Sequence, residues 1–367
     1  MFSVAESVTR VNKNTTGFHT LKDGDLNTII KEISRIVREN YRGNYLFTQD
    51  FIEQLNSEIF NGLKVEFLEY EAIMDVPQLE PHKVFSDLNI MAVDGASVVF
   101  KGHPIRLIVA RSGVFSHSQR LTNVLRLNTT PKSTLRIIEV YGEFLDIDDL
   151  IRKVESETLA YIESETIIEL VDKMDVDDID YVFHDGPLYF PNGFEYTYDM
   201  VKFLYEKGVP IISIVKNSYS RTIMEMLGNP RYLDSDFFSF FLKPGTRSPF
   251  FVNENPKQEI KETELKNVSS YYMTPYGALI RIDVPYWVFE DYGATKIIEI
   301  VASDISLGNG KHSYLLKKAD RIAKFTEYER KKLLRELEFI LSSAGFNEQS
   351  FYNHKRWGLY ATRKRGL

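Results

Sequence analysis

Two apolar stretches of the chain each run into an aspartate followed by a glycine. The first, NIMAVDGASVVF, spans residues 89–100 and has Asp94 near its centre; the second, IDYVFHDGPL, spans 179–188 and carries Asp185. Short apolar runs bounded by turn residues are typical of buried strands. Because a buried carboxylate without a partner costs several kcal/mol, the pattern predicts two strands whose acids share a partner, and a divalent metal ion is the obvious candidate.

The pattern around the first aspartate predicts an antiparallel meander. The run RLIVARSGVF at 106–115 is expected to pair with the first strand, because Lys101 and Gly102 can turn the chain between them. The run LRIIEV at 135–140 supplies a third strand. We therefore expect three antiparallel strands before the chain changes to a helical period.

The second aspartate lies in an alternating order of helices and strands. Apolar residues recur at helical spacing over 145–174, which predicts a long acidic helix before Asp185, and a second helix is expected over 197–207. The run VPIISIV at 209–215 is continuously apolar, as buried parallel strands are. The expected fold class is α/β, with a mixed sheet of three antiparallel strands and then parallel strands, flanked by helices.

The rest of the chain is less regular. Helices are expected over 26–38 and 51–59, and an aromatic cluster falls between 237 and 251. Further elements are expected toward the C-terminus: strands over 278–284 and 297–301, helices over 313–325 and 327–343, and a basic tail over 354–367.

Composition narrows the chemistry. The chain has 367 residues and no cysteine, which excludes disulfides, thiol catalysis and cysteine-ligated zinc, so any metal must be held by oxygen or imidazole. The net charge of −7 argues against a surface that is basic throughout, although local basic patches are compatible with it. Neither a signal peptide nor a run of about 18 apolar residues is found, so we expect a cytoplasmic protein without a membrane span.

Phosphodiester cleavage by metal ions needs several acids that point to one spot. Asp94 and Asp185 are the first pair, but each could simply open a turn, because Asp-Gly is a common turn dipeptide. The helix between them offers glutamates at 155, 157, 163, 165 and 169, and spacing does not choose among them. Asp320, in HSYLLKKAD, is a fourth candidate, although pairing with Lys317 or Lys324 at helical spacing would explain it as well.

Basic residues supply candidates for phosphate binding. Lys216 directly follows the 209–215 run and could reach a phosphate from a strand end. The tail interleaves basic and aromatic side chains in a pattern that fits phosphate contacts and base stacking, or only solvation: Lys355, Arg356, Trp357, Tyr360, Arg363, Lys364 and Arg365. The chain has no P-loop, no GxGxxG after a strand, no G-x-S-x-G and no H-E-x-x-H.

Taken in order, the segments AVDGAS, YVFHDGPL, VPIISIVKNSYSR, ALIRIDVPYW and HSYLLKKADRIAKF resemble the NurA nucleases. The resemblance runs from about Asn89 to Phe325. It implies an RNase H-like, manganese-dependent DNA nuclease, with 5′–3′ exonuclease or single-strand endonuclease activity, that works with a hexameric HerA ATPase in DNA end resection. It also implies a homodimer, for which the N-terminal helices and the 237–251 segment are candidate contacts.

The resemblance assigns roles to particular residues. Asp94 and Asp185 match metal-binding aspartates of the family, and Glu165 is indicated as the helix ligand, with Glu163 as the alternative. Asp320 falls where the family often has histidine, so it would bind Mn²⁺ or Mg²⁺ while any proton transfer would be lost or would move to His312. The DNA contacts would be Lys216 and the basic tail.

The implied domain organisation has three parts. Residues 1–87 form an N-terminal helical extension, 88–326 the RNase H-like nuclease domain with an insertion at about 228–275, and 327–367 a C-terminal helix and basic tail. Two other functions stay open. A catalytically inactive adaptor that binds DNA or a translocase ATPase is suggested by the aspartate at 320, and a glycoside hydrolase would use Asp94 and Asp185 as paired carboxylates.

Overall fold

The computed structural model describes the central and C-terminal parts of the chain, in the following ranges: 67–69, 73–77, 80–85, 88–101, 105–118, 132–139, 147–226, 232–253, 260–308 and 310–343. The helices predicted over 26–38 and 51–59 and the basic tail lie outside these ranges. None of the helices in these ranges combines the length and the hydrophobicity that a membrane span requires.

One sheet contains all ten strands of the described ranges: β1 (Met74–Asp75), β2 (Ile90–Lys101), β3 (Ile105–Ser116), β4 (Ser133–Glu139), β5 (Tyr181–Asp185), β6 (Ile211–Val215), β7 (Thr246–Arg247), β8 (Phe251–Val252), β9 (Asn267–Met273) and β10 (Leu279–Pro285). Their order is β1-β7-β9-β10-β6-β5-β2-β3-β4, with β8 paired to β9. The strands β2, β3 and β4 pair antiparallel, and β5 and β6 continue the sheet in parallel from β2. The predicted mixed α/β class is therefore confirmed.

The helices described are α1 (Pro81–Phe85), α2 (Ile147–Lys173), α3 (Phe194–Lys207), α4 (Thr222–Met226), α5 (Asp234–Phe241), α6 (Tyr286–Leu307), α7 (Tyr314–Ala323) and α8 (Glu327–Ser343). Two short 3₁₀ helices cover Val176–Asp178 and Thr263–Leu265. The long acidic helix and the two C-terminal helices predicted from the sequence correspond to α2, α7 and α8.

Two helices pack on opposite faces of the β2–β3 hairpin, and glycines allow both to come close. A Cβ on Gly95 would overlap the side chain of Glu163 on α2, and a Cβ on Gly113 would overlap backbone atoms of α7 at Ala319 and Ala323. Gly113 pairs with Asp94, the residue before Gly95. Because successive strand residues point to opposite faces, α2 covers one face of the hairpin and α7 the other.

The strand predicted over 297–301 was wrong, because these residues lie inside α6. Ile297, Ile298, Ile300 and Val301 are all buried in the main core. Glu299 is the one polar residue of this segment and is only partly buried. A helix with most of its surface buried has so narrow a polar stripe that a short piece of its sequence resembles a buried strand.

The aromatic cluster is mostly interior. Phe238 stacks on Tyr271 of β9 with ring centroids 4.4 Å apart, and Phe250 and Phe251 are fully buried. The buried members of this cluster pack the interior, while Phe240 is exposed. The partner contacts suggested for this segment stay a prediction. The predicted domain boundaries stay a prediction; β1 lies within the predicted N-terminal extension, and β7, β8 and β9 lie within the predicted insertion.

Candidate active site

The two strand aspartates occupy neighbouring positions in the sheet. The parallel strands β2 and β5 pair Val93 with His184, so the next residues, Asp94 and Asp185, stand side by side where β5 ends. Asp94 pairs with Gly113, which lies against α7, so the side chain of Asp94 points to the α7 face. Asp185 points the same way, because Asp94 and Asp185 each follow one residue of the pair Val93 and His184. Asp94 is only 3% exposed. The convergence predicted from the two Asp-Gly sequences is thus present in the backbone.

The turn alternative holds for one Asp-Gly and fails for the other. Gly186 has a φ of +111°, and a Cβ there would lie 2.6 Å from the ring of Phe190, so a glycine is needed where the chain leaves β5. Gly95 instead lies within β2 and pairs with Ser112 of β3. Asp94 is therefore an acid within a continuous strand, and it does not open a turn.

Glu163 is the helix glutamate that reaches this part of the sheet. It is 3% exposed and lies against Gly95, next to Asp94. Its Oε2 and the Nε2 of His184 are 3.2 Å apart in a hydrogen bond, and the Nδ1 of His184 is 3.1 Å from the Oγ of Ser213. His184, the β5 residue before Asp185, thus holds the carboxylate of Glu163 in place.

Glu165, the helix ligand indicated by the resemblance, points elsewhere. Its side chain is 42% exposed and lies 3.5 Å from the Nζ of Lys132, beside β4. Residues two apart on a helix differ by about 200° in direction, so Glu163 and Glu165 cannot both face the hairpin. The structure favours Glu163, the alternative, as the acid that α2 contributes.

Lys216 contacts an acid of the site directly. It follows the last residue of β6, and its Nζ donates to the Oδ2 of Asp185 at 2.9 Å. His312 lies near this ion pair: burial and then the charges of Lys216 and Lys317 lower the pKa of His312, whereas Asp185 opposes the shift. A phosphate-binding role for Lys216 stays a prediction, and its present partner is a carboxylate.

Asp320 lies on α7, the helix that covers the face to which Asp94 points. Its carboxylate forms an ion pair with Lys324, one turn further along the helix. This is the ordinary helical pairing that the sequence allowed, so the structure gives Asp320 a place near the site without giving it a metal-binding arrangement.

A buried acid holds the start of α7. The Oδ1 of Asp304, on α6, accepts a hydrogen bond from the backbone N–H of Leu315 at 3.0 Å. Burial raises the pKa of Asp304 to about 7, and the hydrogen bond from Ser313 opposes this shift only in part. The position of α7, and with it that of Asp320, therefore depends on a carboxyl group that titrates near neutral pH.

The donor chemistry fits a divalent ion, but the present side-chain positions do not complete a site. Mn²⁺ and Mg²⁺ prefer carboxylate oxygens, which Asp94, Asp185, Glu163 and Asp320 offer. Among the residues that the structure describes, however, no three acidic or histidine side chains lie close enough together to hold a metal ion. Asp185 is engaged by Lys216, and Glu163 approaches from the other face, where His184 holds it.

His184 was not a candidate in the sequence. A signal existed: it is a polar residue inside an apolar strand, and it is fully buried. Buried polar groups almost always have hydrogen-bond partners, so the histidine implied a polar residue on the covering helix. The partner is Glu163.

One comparison with known proteins shows the family of this chain. The family model of the NurA domain matches residues 88–325, and a search of curated proteins found no match. Among solved structures, the NurA nuclease from Sulfolobus solfataricus is similar at 14% identity and a TM-score of 0.49, over 87% of this chain and 98% of that one. A NurA bound to dAMP and manganese gives 9% identity and 0.47, over 88% and 99%. The catalytic domain of human endonuclease V gives 12% identity and 0.31, over 82% and 100%.

Proposed function

The chain belongs to the NurA family, and on this premise we propose that it is a nuclease that hydrolyses phosphodiester bonds of DNA with Mn²⁺ or Mg²⁺. One observation carries the proposal: two aspartates follow paired positions of the parallel strands β2 and β5, so that Asp94 and Asp185 stand side by side in the middle of the sheet, where β5 ends. Glu163 lies against the adjacent glycine. Carboxylates gathered from separate elements are what metal-assisted phosphodiester cleavage requires.

Each residue has a part in this proposal. Asp94 and Asp185 would hold the ion, and Asp320 would add a ligand from α7 on the same face. Glu163 would complete the ligands only after it leaves His184 and reaches past Gly95 from the α2 face. When bound, the ion would activate a water molecule and stabilise the leaving oxygen. Lys216, once released from Asp185, would bind a phosphate oxygen of the DNA. His312, whose pKa is shifted by the charges of Lys216 and Asp185, is the candidate for proton transfer in place of the family histidine.

The wider setting is proposed from the family alone. A homodimer that docks on a HerA-type hexameric ATPase and processes DNA ends, with 5′–3′ exonuclease or single-strand endonuclease activity, is the expected context. Contacts of Lys355, Arg356, Arg363, Lys364 and Arg365 with DNA stay a prediction, because these residues lie outside the described ranges.

The test is cleavage of single-stranded and linear double-stranded DNA by the full chain, with Mn²⁺, with Mg²⁺ and with EDTA. Asp94→Asn and Asp185→Asn are expected to abolish cleavage and to weaken Mn²⁺ binding measured by calorimetry. Asp172→Asn, at an exposed acid of α2 that pairs with Lys207, is the control and should cut like the parent. Folded Asp94→Asn and Asp185→Asn variants with parental activity would refute the assignment.

An inactive adaptor is the second candidate, and the ion pair between Lys216 and Asp185 favours it, because a cation of the protein already neutralises one of the predicted ligands. An adaptor should bind DNA or the ATPase while it shows neither Mn²⁺ binding at the acids nor cleavage. The same calorimetric titration therefore separates the two functions.

A further inference from the structure

A pocket of about 310 Å³ opens at the carboxyl end of β6, directly beside the Lys216–Asp185 ion pair. Its walls are the loop that follows β6, the first turns of α5 and the start of β10. Ligands of α/β proteins commonly bind outside the carboxyl ends of the strands, and the volume is at the lower end of small-molecule sites. Lys216 belongs both to this pocket and to the candidate active site.

The floor of the pocket is polar but electrically balanced. Arg281 is buried there, and its guanidinium donates to both carboxylate oxygens of Asp283, at 2.8 and 2.7 Å. A third hydrogen bond, of 2.7 Å, runs to the Oγ of Ser218, which is also 3.0 Å from the hydroxyl of Tyr271. Since the charge of Arg281 is neutralised by Asp283, the floor is not built to attract a second anion.

The rim is built for a flat, uncharged group. Tyr219 is 80% exposed, although it is a large aromatic side chain. Ser235, Ser239 and Leu279 line the same pocket, and the two serine hydroxyls donate to the backbone carbonyls of Ser218 and Asp236. Asp236, exposed at the rim, would repel a phosphate there. Aromatic side chains stack on nucleobases without regard to sequence, so these groups suit the base and sugar of a nucleotide, while the phosphate is left to the side of Lys216.

We propose that this pocket binds a nucleoside of the DNA strand, next to a phosphate bound at Lys216, with Tyr219 stacked on the base. The inference rests on the proposed nuclease function, because it names a subsite of the same substrate. It adds residues from the β6–α4 loop and α5 to a site otherwise made of acids on β2, β5 and two helices.

The experiment measures binding of thymidine 5′-monophosphate and of deoxyribose 5-phosphate to the full chain by calorimetry and NMR, in EDTA so that cleavage cannot occur. The parent should bind the nucleotide more tightly than the sugar phosphate. Tyr219→Ala should weaken nucleotide binding by about tenfold, the scale of one stacked base, whereas Tyr219→Phe should keep it. Ser239→Trp, which fills the pocket from its exposed rim, should also weaken binding. Tyr328→Ala, at an equally exposed tyrosine on α8 (74% exposed), is the matched control.

Three results would overturn the inference: no binding of the nucleotide by the parent, equal binding of the sugar phosphate, or parental affinity in Tyr219→Ala. The outcome is distinguishable from a failure of the nuclease proposal, because cleavage with Mn²⁺ is measured separately. A chain that cuts DNA but binds nucleotide equally in Tyr219→Ala and the parent refutes only the subsite. A chain that binds nucleotide through Tyr219 but never cuts refutes only the nuclease.

Discussion

Replacing Gly95 by alanine tests whether Glu163 matters for catalysis more than for folding. The new Cβ would overlap the Oε1 of Glu163 and would lie 3.0 Å from the Cδ2 of Leu159. The carboxylate end of Glu163 is the flexible partner in this clash, so it is the group that moves. Its movement breaks the hydrogen bond of 3.2 Å with His184.

The magnitude follows from these contacts. Losing a buried hydrogen bond to a charged group lowers the free energy of unfolding by about 1.5–3 kcal/mol. Alanine also reduces the conformational entropy of the unfolded chain, which raises the free energy of unfolding by about 0.4–1 kcal/mol. We expect Gly95→Ala to lower the free energy of unfolding by about 1–2 kcal/mol. A misplacement of about 1 Å in a catalytic group costs about a hundredfold in rate, so cleavage should fall by about that factor.

Gly113→Ala is the matched comparison on the opposite face of the same hairpin. Its Cβ would meet the carbonyl oxygen of Ala319 and the backbone nitrogen of Ala323, which cannot rotate away, so α7 as a whole must shift. We expect a larger loss of stability, about 3 kcal/mol. Urea unfolding followed by circular dichroism and Mn²⁺-dependent cleavage of single-stranded DNA measure the two effects. If Gly95→Ala is folded and cuts DNA at the rate of the parent, the role given to Glu163 is wrong.

Three further predictions concern individual charged side chains. Glu163→Gln should reduce cleavage by about tenfold or more, the scale of an acid–base or ligand group, while Glu165→Gln, at the helix position next to Lys132, should change it little; equal effects in a cleavage assay would contradict the choice between them. Lys216→Met should tighten Mn²⁺ binding in calorimetry, because the ammonium no longer competes for Asp185, and unchanged affinity would show that the ion pair does not block a metal. Asp304→Asn should flatten the pH dependence of the free energy of unfolding. Burial raises the pKa of Asp304 in the folded chain to about 7, so protonated Asp304 stabilises the parent fully below the unfolded pKa of about 4. The parent loses this stabilisation, about a few kcal/mol at most, as the pH rises to about 7. Urea unfolding at several pH values measures it, and a parallel loss in Asp304→Asn would refute the assignment.

Local sequence patterns were enough to predict the strands that carry Asp94 and Asp185, the long helix between them and the change from antiparallel to parallel pairing. These features are local: apolar runs set the strands, a helical period sets α2, and a strand joined to the next by a helix favours parallel pairing. The sequence also placed Lys216 at a strand end, where the structure has it.

Tertiary packing decided the features that depend on what covers an element. The segment 297–301 lies inside α6, which buries four of its five residues in the core. Glu163, and not Glu165, lies against Gly95, because α2 turns that face toward β2. The pocket beside Lys216 joins residues of β6, α5 and β10 that are far apart along the chain. The hydrophobic period predicts which face of an element is buried. It does not predict which other element covers that face, or which charged residues that element places there, because these depend on contacts between distant parts of the chain.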